Sequence, residues 1–123
     1  MFATCLNCID GRVQLPIINW IMENYNVKYV DMITEAGMDG YLADKDSNIS
    51  NILEKVEISI DFHESKNIFI TGHYDCAENP VDHITHKNQI NTAVERVKNL
   101  FPGLTVLGVW VNDEFSVEKI IEI

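Results

Sequence analysis

Two short stretches of this 123-residue chain carry residue types that can hold a metal ion and work on it. The first is Cys8-Ile9-Asp10-Gly11-Arg12, with a thiol, a carboxylate and a guanidinium at alternate positions. If that backbone stays extended, the three side chains point to one side. The second is Gly72-His73-Tyr74-Asp75-Cys76, whose imidazole and thiol are close enough in sequence to grip one ion. Cys8, His73 and Cys76 together offer two sulfurs and one nitrogen. That soft set suits zinc, and a fourth position left to water marks a catalytic site. Two thiolates and a neutral imidazole cancel the charge of the dication. Thiolates donate more charge than imidazoles, so the bound water is less acidified than at an all-histidine site. Asp10 is placed to accept a hydrogen bond from hydroxide, and Arg12 to keep Asp10 ionised and oriented through a paired fork. The chemistry served is attack of zinc-bound hydroxide on a small electrophile. Asp10 as a fourth zinc ligand, closing the site, is the other reading of the same residues.

The elements that must position these groups follow from the hydrophobic pattern. Phe2 to Leu6 reads as a buried strand. Pro16 suits the first turn of a helix carrying Ile17, Ile18, Trp20, Ile21 and Met22 and ending near Asn24 or Asn26. Val27 to Ile33 is a second strand, and Thr34 to Asn48 reads mostly as loop. Ile49, Ile52, Leu53, Val56 and Ile60 recur at helical spacing behind Ser47 or Asn48 as a cap. Asn67 to Thr71 is a third strand and Gly72 to Val81 a loop. Ile90, Ala93, Val94, Val97 and Leu100 mark a helix stopped by Pro102-Gly103. Leu104 to Val111 is a fourth strand, and Phe115 to Ile123 an edge strand antiparallel to it. This alternation predicts an α/β three-layer sandwich: a mainly parallel sheet of four to five strands with helices on both faces. Ligands of such sheets sit beyond the carboxyl ends of the strands at a switch point. If strands one and three are neighbours there, Cys8 meets His73 and Cys76.

The motif pair Cys-x-Asp-x-Arg and Gly-His-x-x-Cys resembles the β-class carbonic anhydrases. The resemblance runs from about Ala3 to Val111, with Ala36-Gly37 falling where that family has an Arg-Asn-Ala-Gly stretch. It implies that Cys8, His73 and Cys76 bind zinc and that Asp10 and Arg12 form a catalytic dyad. It also implies a zinc-dependent lyase that reversibly hydrates carbon dioxide to bicarbonate, working as a homodimer or higher homo-oligomer. A hydrolase of a related electrophile such as carbon disulfide, or a catalytically silent zinc-binding homologue, are the alternatives. This sequence departs from the family pattern at Gly11, where a serine is usual. Thr34-Glu35 stand near the family's arginine, and Ala77-Glu78-Asn79-Pro80 replace a glycine-rich turn.

The remaining candidates have plainer readings. Cys5 makes a Cys-x-x-Cys pair with Cys8, but a redox pair belongs at a helix N-terminus, so Cys5 reads as a core thiol. His83 and His86 share a helix face, read as an exposed helix start. His63 falls at a solvated helix end, and Asp75 orients its loop. Asp39 and Tyr41 are placed to line the pocket, while Trp20 and Trp110 read as core.

Composition sets the outer bounds. Apolar residues are 46% and charged residues 23%, as in one globular domain spanning 1–123. No apolar run approaches the roughly 20 residues of a membrane span. No basic segment precedes the apolar residues of the N-terminus, so no secretory leader and a cytoplasmic location are expected. A net charge of -10 repels phosphate backbones and disfavours nucleic acid. Three cysteines without a leader argue for free or metal-bound thiols rather than disulfides.

Overall fold

Five strands form one sheet in the order β2-β1-β3-β4-β5. They are β1 (Phe2–Asn7), β2 (Tyr29–Thr34), β3 (Asn67–His73), β4 (Thr105–Val111) and β5 (Val117–Glu122). The computed structural model describes all residues from Met1 to Ile123. The first four strands are parallel, and β5 returns antiparallel along β4. The turn before β5 is tied by the Asn112 side chain, whose Oδ1 accepts the backbone N–H of Glu114 and Ser116.

The chain steps from β1 outward to β2, then crosses back over β1 to reach β3. Right-handed crossovers in opposite directions place their helices on opposite faces. One face is accordingly covered by α1 (Gln14–Tyr25), whose Ile17 and Ile21 pack on Ala3, Cys5, Phe69, Leu107 and Val109. The other carries α2 (Met38–Ala43), α3 (Ser50–His63) and α4 (His83–Leu100) around Leu6, Ile33, Ile68, Ile70 and Val106. The period of two sorts β1 between these layers: Ala3 and Cys5 face α1, Thr4 and Leu6 face the larger core. Thr4 is fully buried, so its hydroxyl needs partners, and Ser59 and Ser65 supply them at 2.7 and 2.8 Å. The expected α/β architecture, parallel core and antiparallel edge strand are all present.

Two local expectations are sharpened or corrected. Thr34 to Asn48 is mostly loop, as expected, but it is not loop throughout, because α2 lies inside it. Gly40 and Asp39 weaken the helix signal, and burial of Met38 and Leu42 supplies what propensity lacks. The last helix starts earlier than its apolar repeat, at His83, with Asp82 as N-cap accepting Thr85 N–H at 2.7 Å. His86 is therefore not part of an exposed helix start. It sits a turn inside α4, faces the sheet and is 1% exposed.

Gly108 of β4 lies close beneath α4. A Cβ there would lie 2.4 Å from Ile90 Cγ2, 2.9 Å from Ile121 Cγ2 and 3.1 Å from Val94 Cγ2. These are methyls of β-branched side chains with little room to turn. Gly108→Ala is expected to destabilise the protein by about 1–3 kcal/mol through overpacking. A shift in the urea unfolding midpoint, with an unchanged slope, measures it.

Candidate metal centre

Cys8 follows β1 by one residue, and His73 is the last residue of β3. These strands are parallel neighbours, with Thr4, Cys5 and Leu6 beside Ile68, Phe69 and Ile70. Their carboxyl ends thus emerge side by side at the point where the chain direction reverses. Cys76 is brought back by a tight turn through Tyr74 and Asp75. Asp75 adopts a left-handed backbone (φ 58°), which aspartate tolerates better than most residues. Tyr74 N–H bonds to Val111 O at 2.9 Å and anchors the turn to β4.

One ligand atom from each of Cys8, His73 and Cys76 lies within 4.8 Å of the others, and all three residues are buried. The two Sγ atoms are 4.0 Å apart. His73 Nδ1 is 2.7 Å from Tyr74 O. A carbonyl only accepts, so Nδ1 carries the proton and Nε2 keeps its lone pair. That Nε2 is buried and has no partner within the protein. An orphaned imidazole lone pair beside two buried thiols is costly in an empty site and is satisfied by a soft dication. The donor set therefore fits zinc. Burial, and then the neighbouring Cys8 sulfur, push the Cys76 thiol up to about 11, against weaker help from the backbone N–H groups of Asn79 and Glu78. Cys5 is buried on the opposite side of β1 among Ile17 and Ile21, and burial raises its thiol out of reach of ionisation.

The dyad residues do meet, though not by extension of the strand. After Cys8 the chain turns into a short 3-10 helix over Gly11–Val13, with Asp10 as its cap. Asp10 Oδ1 accepts Arg12 backbone N–H at 2.9 Å and Nε–H at 3.1 Å, and Oδ2 accepts from Nη2 at 2.7 Å. Arg12 reaches on to Asp75, donating to its carboxylate at 3.3 Å and its carbonyl at 3.1 Å. Its guanidinium lies 5.8 Å from the centre of the Phe115 ring. Gln14 pins the turn, donating to Cys8 O at 2.7 Å and Asp10 O at 2.8 Å. The Arg12 fork holds the Asp10 carboxyl down at about 2. Arg12 is half exposed and Asp10 only partly so, and solvent at the guanidinium screens the stabilising effect of this pair.

Sequence reasoning missed a second polar cluster beside this one. His86 Nδ1 lies 2.6 Å from Asp39 Oδ2, with both side chains 2% exposed. Asp39 Oδ1 also accepts Asn79 Nδ2–H and Gly40 N–H, each at 2.9 Å. Asn79 gives its other proton to Gln89 at 2.7 Å. Asp39 thus lies beneath the pocket rather than lining it, whereas Tyr41 does line a 450 Å³ cavity with Glu35, Glu78 and Gln89. A second cavity, of 390 Å³, is lined by Tyr74, Cys76, Pro80, Val81, His86 and Trp110. No local signal joins Asp39 to His86, because they come from different helices. His63 does end α3 and bonds to Asp31 at 2.6 Å. Trp110 is buried, and Trp20 is half-buried edge-on to Phe69.

A family model described as "Putative carbonic anhydrase" matches residues 1–121. No curated protein matches by sequence. Several solved structures are similar in fold. The β-carbonic anhydrase isoform I of Trichomonas vaginalis is 17% identical with a TM-score of 0.65, over 96% of this chain and 81% of that one. A carbonic anhydrase from Glaciozyma antarctica is 16% identical with a TM-score of 0.64, over the same shares of 96% and 81%. Tetrameric β-carbonic anhydrases from Sordaria macrospora give 12% identity and a TM-score of 0.70, over 98% and 81%. At these identities the likeness shows the fold.

The fork makes Asp10 a group whose ionisation favours the folded state. Its contribution is complete above the ordinary carboxylate value of 3.8 and is lost as pH falls toward about 2. Arg12→Ala should return the Asp10 carboxyl toward that ordinary value. Titration of the Asp10 carboxyl carbon by NMR checks this, and an unmoved titration overturns the fork as its cause.

Proposed function

This chain belongs to the carbonic anhydrase family that the model describes, and on that premise we propose that it is a zinc-dependent lyase. Its reaction is the reversible hydration of carbon dioxide to bicarbonate. The observation that carries this reading is the buried trio of Cys8, His73 and Cys76 with an unpartnered His73 Nε2. In the proposal these three residues hold zinc. Bound there, zinc supplies Lewis acidity that draws the pKa of water toward about 7 at known catalytic sites.

The chain's own residues supply the rest. Tyr74 O fixes the His73 ring through Nδ1–H, so that Nε2 is presented to the ion. Asp10 is ionised at all working pH values and offers an acceptor that orients the attacking water by a hydrogen bond. Arg12 holds Asp10 in place and ties it to the Cys76 turn through Asp75. The domain 1–123 acts as one unit. Exposed Leu15 and Met22 on α1 offer an apolar face for assembly into a homodimer or larger homo-oligomer. No helix is long and apolar enough to cross a membrane. Its three free cysteines suit the reducing cytoplasm, which is the location proposed.

Stopped-flow hydration assays on zinc-loaded protein test the reaction. Wild type is expected to exceed the buffer background, and Cys76→Ser to lose both zinc and turnover. Equal rates for the two overturn the reaction, and full zinc occupancy without turnover identifies a silent homologue. Arg12→Ala should cut turnover about 10–100-fold while zinc content changes less. Zinc uptake should strengthen as pH rises, because Cys76 must lose a proton that burial holds up to about 11. Calorimetry in buffers of different ionisation heat counts the protons released.

A further inference from the structure

The hairpin between β4 and β5 carries a residue that its backbone does not favour. Asn112 and Ser116 close it, with Asn112 N–H donating to Ser116 O and Phe115 N–H to Asn112 O, each at 3.0 Å. The connection between them is Asp113-Glu114-Phe115. In hairpin loops of this length the third residue commonly takes left-handed backbone, and glycine is its usual occupant. Here it is Phe115, at φ 58°. A side chain with a bulky ring makes that conformation costly. Burial in the core does not offset the cost, because Phe115 is 37% exposed and belongs to none of the three apolar clusters.

The ring instead meets Arg12, whose guanidinium carbon lies over it, 5.8 Å from its centre. That is within reach of a cation–π contact. The guanidinium is the point where three segments converge. In the turn after β1 it forks onto Asp10, with Nη2 to Oδ2 at 2.7 Å and Nε to Oδ1 at 3.1 Å. In the turn after β3 it donates to Asp75 Oδ2 at 3.3 Å and to Asp75 O at 3.1 Å. The hairpin, through Phe115, is the third. The N–H donors of a guanidinium lie in its plane, so hydrogen bonds leave its faces open. Arg12 is half exposed, and a long side chain in that position readily exchanges its partners for water. A ring against one face restrains it without competing for any N–H. The hairpin itself is well seated. Val111 and Val117, paired across its stem, pack beside Cys8, Val13 and Cys76, and Asn112 Oδ1 ties down Glu114 and Ser116.

We propose that Phe115 is a positioning residue for the Asp10–Arg12 dyad, its ring holding the Arg12 guanidinium across both Asp10 and Asp75. The left-handed backbone is what aims the ring: glycine would relax the loop and leave that face of Arg12 to water. The consequence for turnover rests on the lyase reading above. There Asp10 orients the attacking water, and Phe115 acts on Asp10 through Arg12.

Side-chain NMR of the labelled full chain tests the contact without any assay. Wild type should show Phe115 ring protons close to the Arg12 side chain and an Arg12 Nε–H protected from exchange with water. Phe115→Gly suits the left-handed backbone, so the hairpin should still fold. Its Arg12 Nε–H should exchange about three- to tenfold faster, the worth of one cation–π contact. Phe115→Tyr should keep the protection and Phe115→Leu should lose it. Equal exchange in wild type and Phe115→Gly overturns the proposal, and leucine protecting as well as phenylalanine overturns the role of the aromatic ring. In stopped-flow hydration with zinc-loaded protein, Phe115→Gly should lower kcat by about three- to tenfold while KM and zinc content change little, and Phe115→Tyr should retain the wild-type rate. Faster Arg12 exchange with an unchanged kcat overturns the effect on turnover. No hydration by wild type overturns the lyase reading, and the NMR comparison still decides whether Phe115 holds Arg12.

Discussion

The parallel contact between β1 and β3 is the constraint on which the rest of the molecule depends. It brings together two strands from distant parts of the chain and aligns their carboxyl ends. Cys8 and His73 are carried to the same place only because both strands run in the same direction. An antiparallel pairing would send one of them to the far end of the sheet. The reversal of connection direction between these strands also opens the sheet's edge there, since the helices before and after it lie on opposite faces. Cys8, His73 and Cys76, which could hold a metal ion, occupy that opening, where open parallel sheets place their ligands.

Backbone placement alone does not complete the site. Polar accounting does much of the remaining work. Gln14 spends its amide on the carbonyls of Cys8 and Asp10, which fixes the turn where the strand ends. Arg12 joins Asp10 to Asp75, so the two motif-bearing loops are tied to each other by charge-assisted bonds. Asn79 closes the far side, with its backbone near the Cys76 sulfur and its side chain on Asp39 and Gln89. The loops therefore have little freedom to spread, even though several of their side chains are exposed. A soft donor set held this way could hold a metal ion, and the unpartnered His73 Nε2 is its most telling feature.

Much of this is legible in the sequence. The apolar runs at Phe2–Leu6, Ile68–Ile70 and Leu104–Val111 required buried strands, and their alternation with helical repeats required a parallel sheet. The five-residue constellation was legible because each half falls at the carboxyl end of a strand, where local spacing decides what is presented. The backbone between Cys8 and Arg12 was not. An extended run and a 3-10 turn both bring Asp10 to Arg12, and only the cap made by the Asp10 side chain selects the turn. The helix Met38–Ala43 was hidden for a related reason: it is too short to show a period, and burial rather than propensity sustains it.

The sequence by itself determined the strand and helix order, the residue types of the candidate metal trio and the pairing of Asp10 with Arg12. These follow from short-range periodicity and spacing, which a linear chain records. Only the tertiary structure decided that His86 is buried, that Asp39 is its partner and that Asn79 stands between them and the Cys76 loop. A histidine at the start of a helix has the same local signature whether it faces water or a carboxylate from another helix. That choice is made by how α2 and α4 pack across the end of β3, and packing between distant segments leaves no periodic trace in one sequence.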